Sequence, residues 1–196
     1  MKAEEYGIVL DFLSKGKSSS FKAEPLAQLV GEEYFTLLEV VPKEGVSLKA
    51  GDRVYVGKDE RDKVEYIKKR ITYRELTSNS VSELPKVLEG MVLRQEKKFI
   101  EFFNTCGAIT IKRHRFELLP GLGKKHMLNL IKEREQQNFE SFQDIEKRVH
   151  LMPNVVQTIV KRIMHEQEDE EEKHHLFTKP YPRRDEGRGF HRERRF

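Results

Sequence analysis

Over the first 76 residues the apolar positions come in short bursts. YGIVLDFL, EPLAQLVG, YFTLLEVV, RVYVG and KVEYIKKRITY are mostly rich in β-branched or aromatic residues, and the turn-forming stretches KGKSSS, PKEG and GKDERD separate them. Within LKAGDRVYVG a glycine precedes a strand in which Val54 and Val56 alternate with Arg53 and Tyr55, the twofold period of a half-buried strand. Five short strands without an intervening helix predict a small closed barrel, OB-like or SH3-like.

The pattern changes at LTSNSVSEL. A polar cluster ends the strand signal, and Leu84, Val87, Leu88, Met91, Phe99, Phe102, Phe103 and Cys106 then follow the three-and-four spacing of a helix face, with Gly90 as a possible division and Gly107 as an end. The predicted class is therefore α+β: a five-stranded OB-like barrel over 1–76, a helical domain over 77–165, and a charged tail over 166–196.

The helical half repeats itself. Setting LLPGLGKKHMLNLI over LMPNVVQTIVKRIM places Pro120 over Pro153 and Leu118 over Leu151, and the apolar positions Met127, Leu130 and Ile131 over Val160, Ile163 and Met164. Each copy has a candidate leader helix, AITIKRHRF in the first and SFQDIEKRV in the second. This predicts a duplicated helix-turn-helix unit whose two hairpins pack together.

The first turn carries candidate chemistry. Gly121 and Gly123 permit a tight turn and a close approach to a ligand. The helix that follows presents unpaired N–H groups and a partial positive charge, an arrangement that attracts anions. Lys124 and Lys125 stand in its first turn, where cations oppose the helix dipole unless a negative partner compensates. A nucleic-acid phosphate is such a partner; a glycine turn between two core helices is the plainer account.

The run LLPGLGKK followed by an amphipathic helix resembles the hairpin of helix-hairpin-helix proteins. That resemblance implies that the amides around Gly121, Leu122 and Gly123, with the side chains of Lys124 and Lys125, hold the sugar-phosphate backbone. The second hairpin departs from the pattern at Asn154 and Val156 and is expected to pack rather than bind. The combination of LKAGDRVYVG with ELLPGLGKKHM also resembles an uncharacterised archaeal family, domain of unknown function 655, over roughly residues 1–165. It implies an OB-like barrel followed by a helix-hairpin-helix pair.

Charge adds detail. Charged residues make up 36% of the chain and apolar ones 37%, with a pI near 9.0 and a net charge of only +4, so the position of the cations matters more than their number. On the barrel, Tyr55, Tyr66 and Tyr73 lie among Arg53, Lys68, Lys69, Arg70 and Arg74. Arg53, Tyr55, Tyr66, Lys68 and Arg70 are the candidate nucleic-acid contacts there, unless the tyrosines are half-buried strand residues beside a solvated cationic face. The tail joins the acidic EQEDEEEKHH to an arginine-rich end, and both read as too polar to pack.

No HExxH, Walker, Rossmann or nucleophile-elbow motif occurs, His174 and His175 stand on the polar tail, and the single cysteine, Cys106, sits on an apolar helix face. No metal, cofactor or catalytic site is expected. With an apolar N-terminal run far too short to cross a bilayer, the expectation is a cytoplasmic, non-catalytic nucleic-acid-binding protein. RNA, ribosomal or transfer, is preferred over DNA, and ribosomal or transcription proteins are possible partners. The alternatives are a DNA accessory factor in repair or transcription and a protein-interaction scaffold.

Overall fold

The structure, a computed structural model, describes residues 3–16, 24–111 and 113–181. Five strands, β1 (Tyr6–Leu13), β2 (Leu26–Gly31), β3 (Leu37–Pro42), β4 (Arg53–Tyr55) and β5 (Val64–Arg70), form one antiparallel sheet in the order β4-β1-β2-β3-β5. All five match a strand-like sequence segment. The sheet is curled but does not close, because β4 and β5 are its two edges and share no ladder. The predicted closed barrel is thus a half-barrel.

Both faces of this sheet are covered. Val9, Ala27, Leu29, Leu38, Val40, Val54, Val56 and Val64 fill the inside of the curl. Ile8, Leu10, Val30 and Leu37 point the other way, into a cluster with Leu84, Leu88, Met91 and Val92 of α1 (Ser78–Arg94). The central strands β2 and β3 are consequently buried at every position, which explains their near-continuous apolar runs. Gln28 and Glu39 are exceptions, facing each other across the β2–β3 ladder. The Gln28 amide donates to Glu39 and to the Glu75 carbonyl, and accepts from the Thr77 amide and the Ser80 hydroxyl, tying the sheet to the start of α1.

Gly90 does not divide the first helix. Leu88, Met91 and Val92 are fully buried around it, and that burial outweighs the roughly 1 kcal/mol a helical glycine costs. The break comes instead at Gln95, whose side chain reaches the Glu32 carbonyl and whose backbone leaves the helical region before α2 (Glu96–Thr105).

The first predicted leader helix is also corrected. AITIKRHRF forms a short hairpin of β6 (Ala108–Thr110) and β7 (Arg113–His114), then a 3-10 turn over Arg115–Leu118 closed by a reciprocal His114–Glu117 cap. Its β-branched Ile109 and Thr110 favour extended backbone. The second leader is a helix, α4 (Phe142–Arg148), preceding α5 (Val155–Glu168). The first unit therefore has only α3 (Lys124–Gln136) as a full helix, and the two units are asymmetric.

The tail expectation fails over 166–181. Phe177 packs edge-on against Phe99 and Phe102 at 5.2 and 5.0 Å between ring centroids. The fully buried Glu166 carboxylate accepts from the amides of Leu176, Phe177 and Thr178 and from the Arg162 guanidinium. Lys179 donates its amide to the Tyr34 carbonyl, which fastens the segment to the sheet. One buried carboxylate organises a stretch whose composition suggests only solvation. The arginine-rich remainder, 182–196, lies outside the described residues.

Candidate nucleic-acid interface

The turn before α3 separates the roles of its two glycines. Gly121 adopts φ +84°, a left-handed conformation closed to most side chains, and lies against Pro153 of the second unit. Gly123 is the residue before the helix, in ordinary extended backbone, and a Cβ built there meets nothing within 4 Å. Gly121 is required by the turn. Gly123 is the N-cap of α3, and among the described residues neither its backbone angles nor a neighbouring atom excludes a side chain there.

Between them Leu122 is buried and contributes its side chain to the core. Lys124 and Lys125 are exposed, and among the described residues neither pairs with a carboxylate. Thr77, Ser141 and Asn154 cap α1, α4 and α5 with their side chains, and α2 begins on Glu96. The first turn of α3 has neither a side-chain cap nor an acidic residue. Two lysines at a helix N-terminus oppose its dipole, typically by about 0.3–1 kcal/mol each. An incoming phosphate would reverse that sign.

The turns before α3 and α5 meet here. Besides the Gly121–Pro153 contact, a ring nitrogen of His126 lies 3.0 Å from the Leu151 carbonyl oxygen. The surface they share carries a signal that periodicity does not register: the chain has no aspartate or glutamate over 118–132 or over 147–165. The arginines of these helices are structural. Arg134 donates to the Phe103 and Cys106 carbonyls, Arg148 to those of Glu133 and Gln137, and Arg162 to Glu166. Among the described residues the lysines at the turn have no such use.

The barrel candidates are placed differently. Arg53 and Tyr55 lie on edge strand β4, whereas Tyr66, Lys68 and Arg70 lie on β5, the opposite edge. Arg53 forms a two-pronged pair with Glu32, at 2.8 to 3.1 Å, and its guanidinium stacks 3.5 Å over the Tyr6 ring. The Tyr55 hydroxyl donates to Asp59. Glu24 accepts from both the Tyr66 hydroxyl and the Lys68 ammonium, and these bonds raise the pKa of each donor. Arg70 holds the backbone carbonyls of Lys179 and Pro180, and desolvation lowers its pKa. Each of the five already has an internal partner, and they divide between the two edges of the sheet.

Cys106 is inert at neutral pH, since burial pushes its thiol up to about 11 against the opposing pull of Arg134. His175 is engaged with the Thr178 hydroxyl at 2.7 Å. Among the described residues no helix is long and apolar enough to cross a membrane.

The model of a protein family of unknown function, DUF655, matches residues 3–179. The chain belongs to the DUF655 family. A DUF655 relative, the uncharacterized protein MJ0038 of Methanocaldococcus jannaschii, is 43% identical over 179 residues, which is 91% of this chain and 81% of the relative. The crystal structure of Af1531 from Archaeoglobus fulgidus, a DUF655 protein, superposes with a TM-score of 0.84 at 45% identity, covering 90% of this chain and all of that one. The family name carries no reaction.

Proposed function

We propose that the protein binds nucleic acid without catalysing a reaction, gripping backbone phosphate at the N-terminus of α3 through the amides that follow Gly123 and the side chains of Lys124 and Lys125, with structured RNA as the preferred ligand. The observation that carries this reading is Gly123. An exposed glycine in ordinary extended backbone, followed by two lysines that pair with no carboxylate among the described residues and by a first turn without a side-chain cap, suits the close approach of an anion. The absence of aspartate and glutamate from 118–132 extends the attraction. The proposed grip involves the hairpin rather than the barrel edges, because Arg53 and Lys68 are paired with carboxylates and Arg70 is engaged by two backbone carbonyls.

The test is affinity across a salt series for a structured RNA, a single strand of matched composition and a DNA duplex. Replacing both Lys124 and Lys125 by Gln should reduce the steepness of log affinity against log salt by roughly 0.7–0.9 for each phosphate that is no longer neutralised. Tighter binding of the DNA duplex would redirect the reading to a DNA accessory factor. Equal affinities and slopes in wild type and variant would remove the hairpin from the interface.

A further inference from the structure

Among the described residues two non-glycine positions take a positive φ, Phe35 at 53° and Leu151 at 55°. For a bulky side chain that region is costly. The two residues recover the cost very differently. Phe35 is 1% exposed, part of the main core, and burial offsets its strain. Leu151 is 78% exposed, in the turn after α4 where glycine or asparagine is the ordinary choice. Its side chain is held out from the surface, so no burial of its own offsets that cost. Strain kept under those conditions points outward, to something the residue touches when bound.

The surroundings identify the partner. The Leu151 carbonyl oxygen lies 3.0 Å from His126, in the first turn of α3, which sets Leu151 beside the face of Lys124 and Lys125. Leu128, four residues after Lys124 and so on the same helix face, is 60% exposed. His150 and Asn154, close to Leu151 in the same turn, are exposed, and no acidic residue interrupts either stretch. A bare apolar side chain beside exposed, unpaired lysines, with one carboxylate nearby, Glu146, already held by the Val155 amide, fits a polyanion with an apolar interior. Nucleic acid at a disrupted base step is that object: phosphates outside, base faces open within.

We infer that Leu151 is an apolar wedge entering an unstacked step of bound RNA, so that the ligand is an RNA helix interrupted by a bulge or an end rather than a continuous duplex. This rests on the phosphate-gripping reading of the same hairpin. The lysines supply affinity and register, and Leu151 supplies the preference for disrupted structure.

The experiment compares an RNA hairpin bearing a single-nucleotide bulge, with 2-aminopurine next to it, against the same hairpin without the bulge, and repeats the pair in DNA. The wild-type protein should favour the bulged RNA by roughly five- to tenfold, the scale of one apolar anchor at an interface, and change the 2-aminopurine emission on binding. Leu151→Asn tolerates the left-handed backbone and removes the wedge. It should abolish both the preference and the emission change, leave affinity for the continuous hairpin intact, and keep or raise the thermal midpoint. A variant that retains the bulge preference overturns the wedge. So does self-association of the wild type that Leu151→Asn abolishes, which would assign the patch to a second copy of the chain. Binding of both hairpins alike, with the salt dependence still set by Lys124 and Lys125, overturns the wedge but leaves the phosphate grip standing. No binding to any of these ligands overturns both.

Discussion

Gly121 and Gly123 are two residues apart and can be told apart by substitution. Gly121→Ala forces a side chain into left-handed backbone and should destabilise the fold by about 1–2 kcal/mol, read as a lower denaturation midpoint. Gly123→Ala places a methyl in open space on extended backbone at the N-cap of α3, where alanine is poorer than glycine, so stability should fall by no more than about 1 kcal/mol. If Gly123 serves a ligand, the second variant loses RNA affinity while remaining folded; unaltered affinity would reduce it to a plain helix start. Gln28 makes a different prediction. Gln28→Leu leaves the Thr77 amide and the Ser80 hydroxyl without their acceptor beneath α1, at about 1–3 kcal/mol per unsatisfied group, and chemical denaturation against wild type measures the sum.

Among the elements, the segment after α5 behaves as a clasp. It spans from the Arg162–Glu166 pair, whose side chains are 3% and 0% exposed, to the sheet at Tyr34 and Arg70. Glu172 adds a titratable contact: burial works against its charge, but the His174 amide and the Arg162 guanidinium outweigh that and hold its pKa below the ordinary glutamate value of 4.5. A carboxylate more acidic when folded stabilises the clasp fully above its unfolded pKa. That contribution is lost as pH falls from about 4.5 through the lower folded value. Amide exchange at Leu176, Phe177 and Thr178 should therefore become less protected relative to the α1 core at acid pH, and Glu172→Gln should lose this dependence. Protection that falls in parallel at both places would mean that the clasp does not open separately.

Across the chain, one hydrophobic cluster joins Ile8, Leu10, Val30 and Leu37 of the sheet to α1, α2 and the tandem unit. A half-barrel with one face built into the helical core cannot expose that face without loss. The full chain should therefore unfold in one calorimetric transition, and a fragment ending at residue 76 should lack a cooperative melt. Two resolved transitions, or a folded fragment, would instead make the sheet an independent unit.

Strand existence and the α1 face are legible in the sequence, because local periodicity and turn residues act over a few residues each. Gly121 and the lysines could also be marked from local pattern, since left-handed backbone and a charged helix start are local properties. The five barrel candidates looked equally open, yet each has a partner 4 to more than 100 residues away. The clasp was hidden for the same reason: Glu166 reads as one carboxylate in an acidic run until Arg162 and three amides surround it. Residue type and spacing set which backbone shapes and helix ends the chain can form. Which charges remain free for a ligand depends on the partners that folding brings within about 3 Å, where desolvation and hydrogen bonding decide the state of each group.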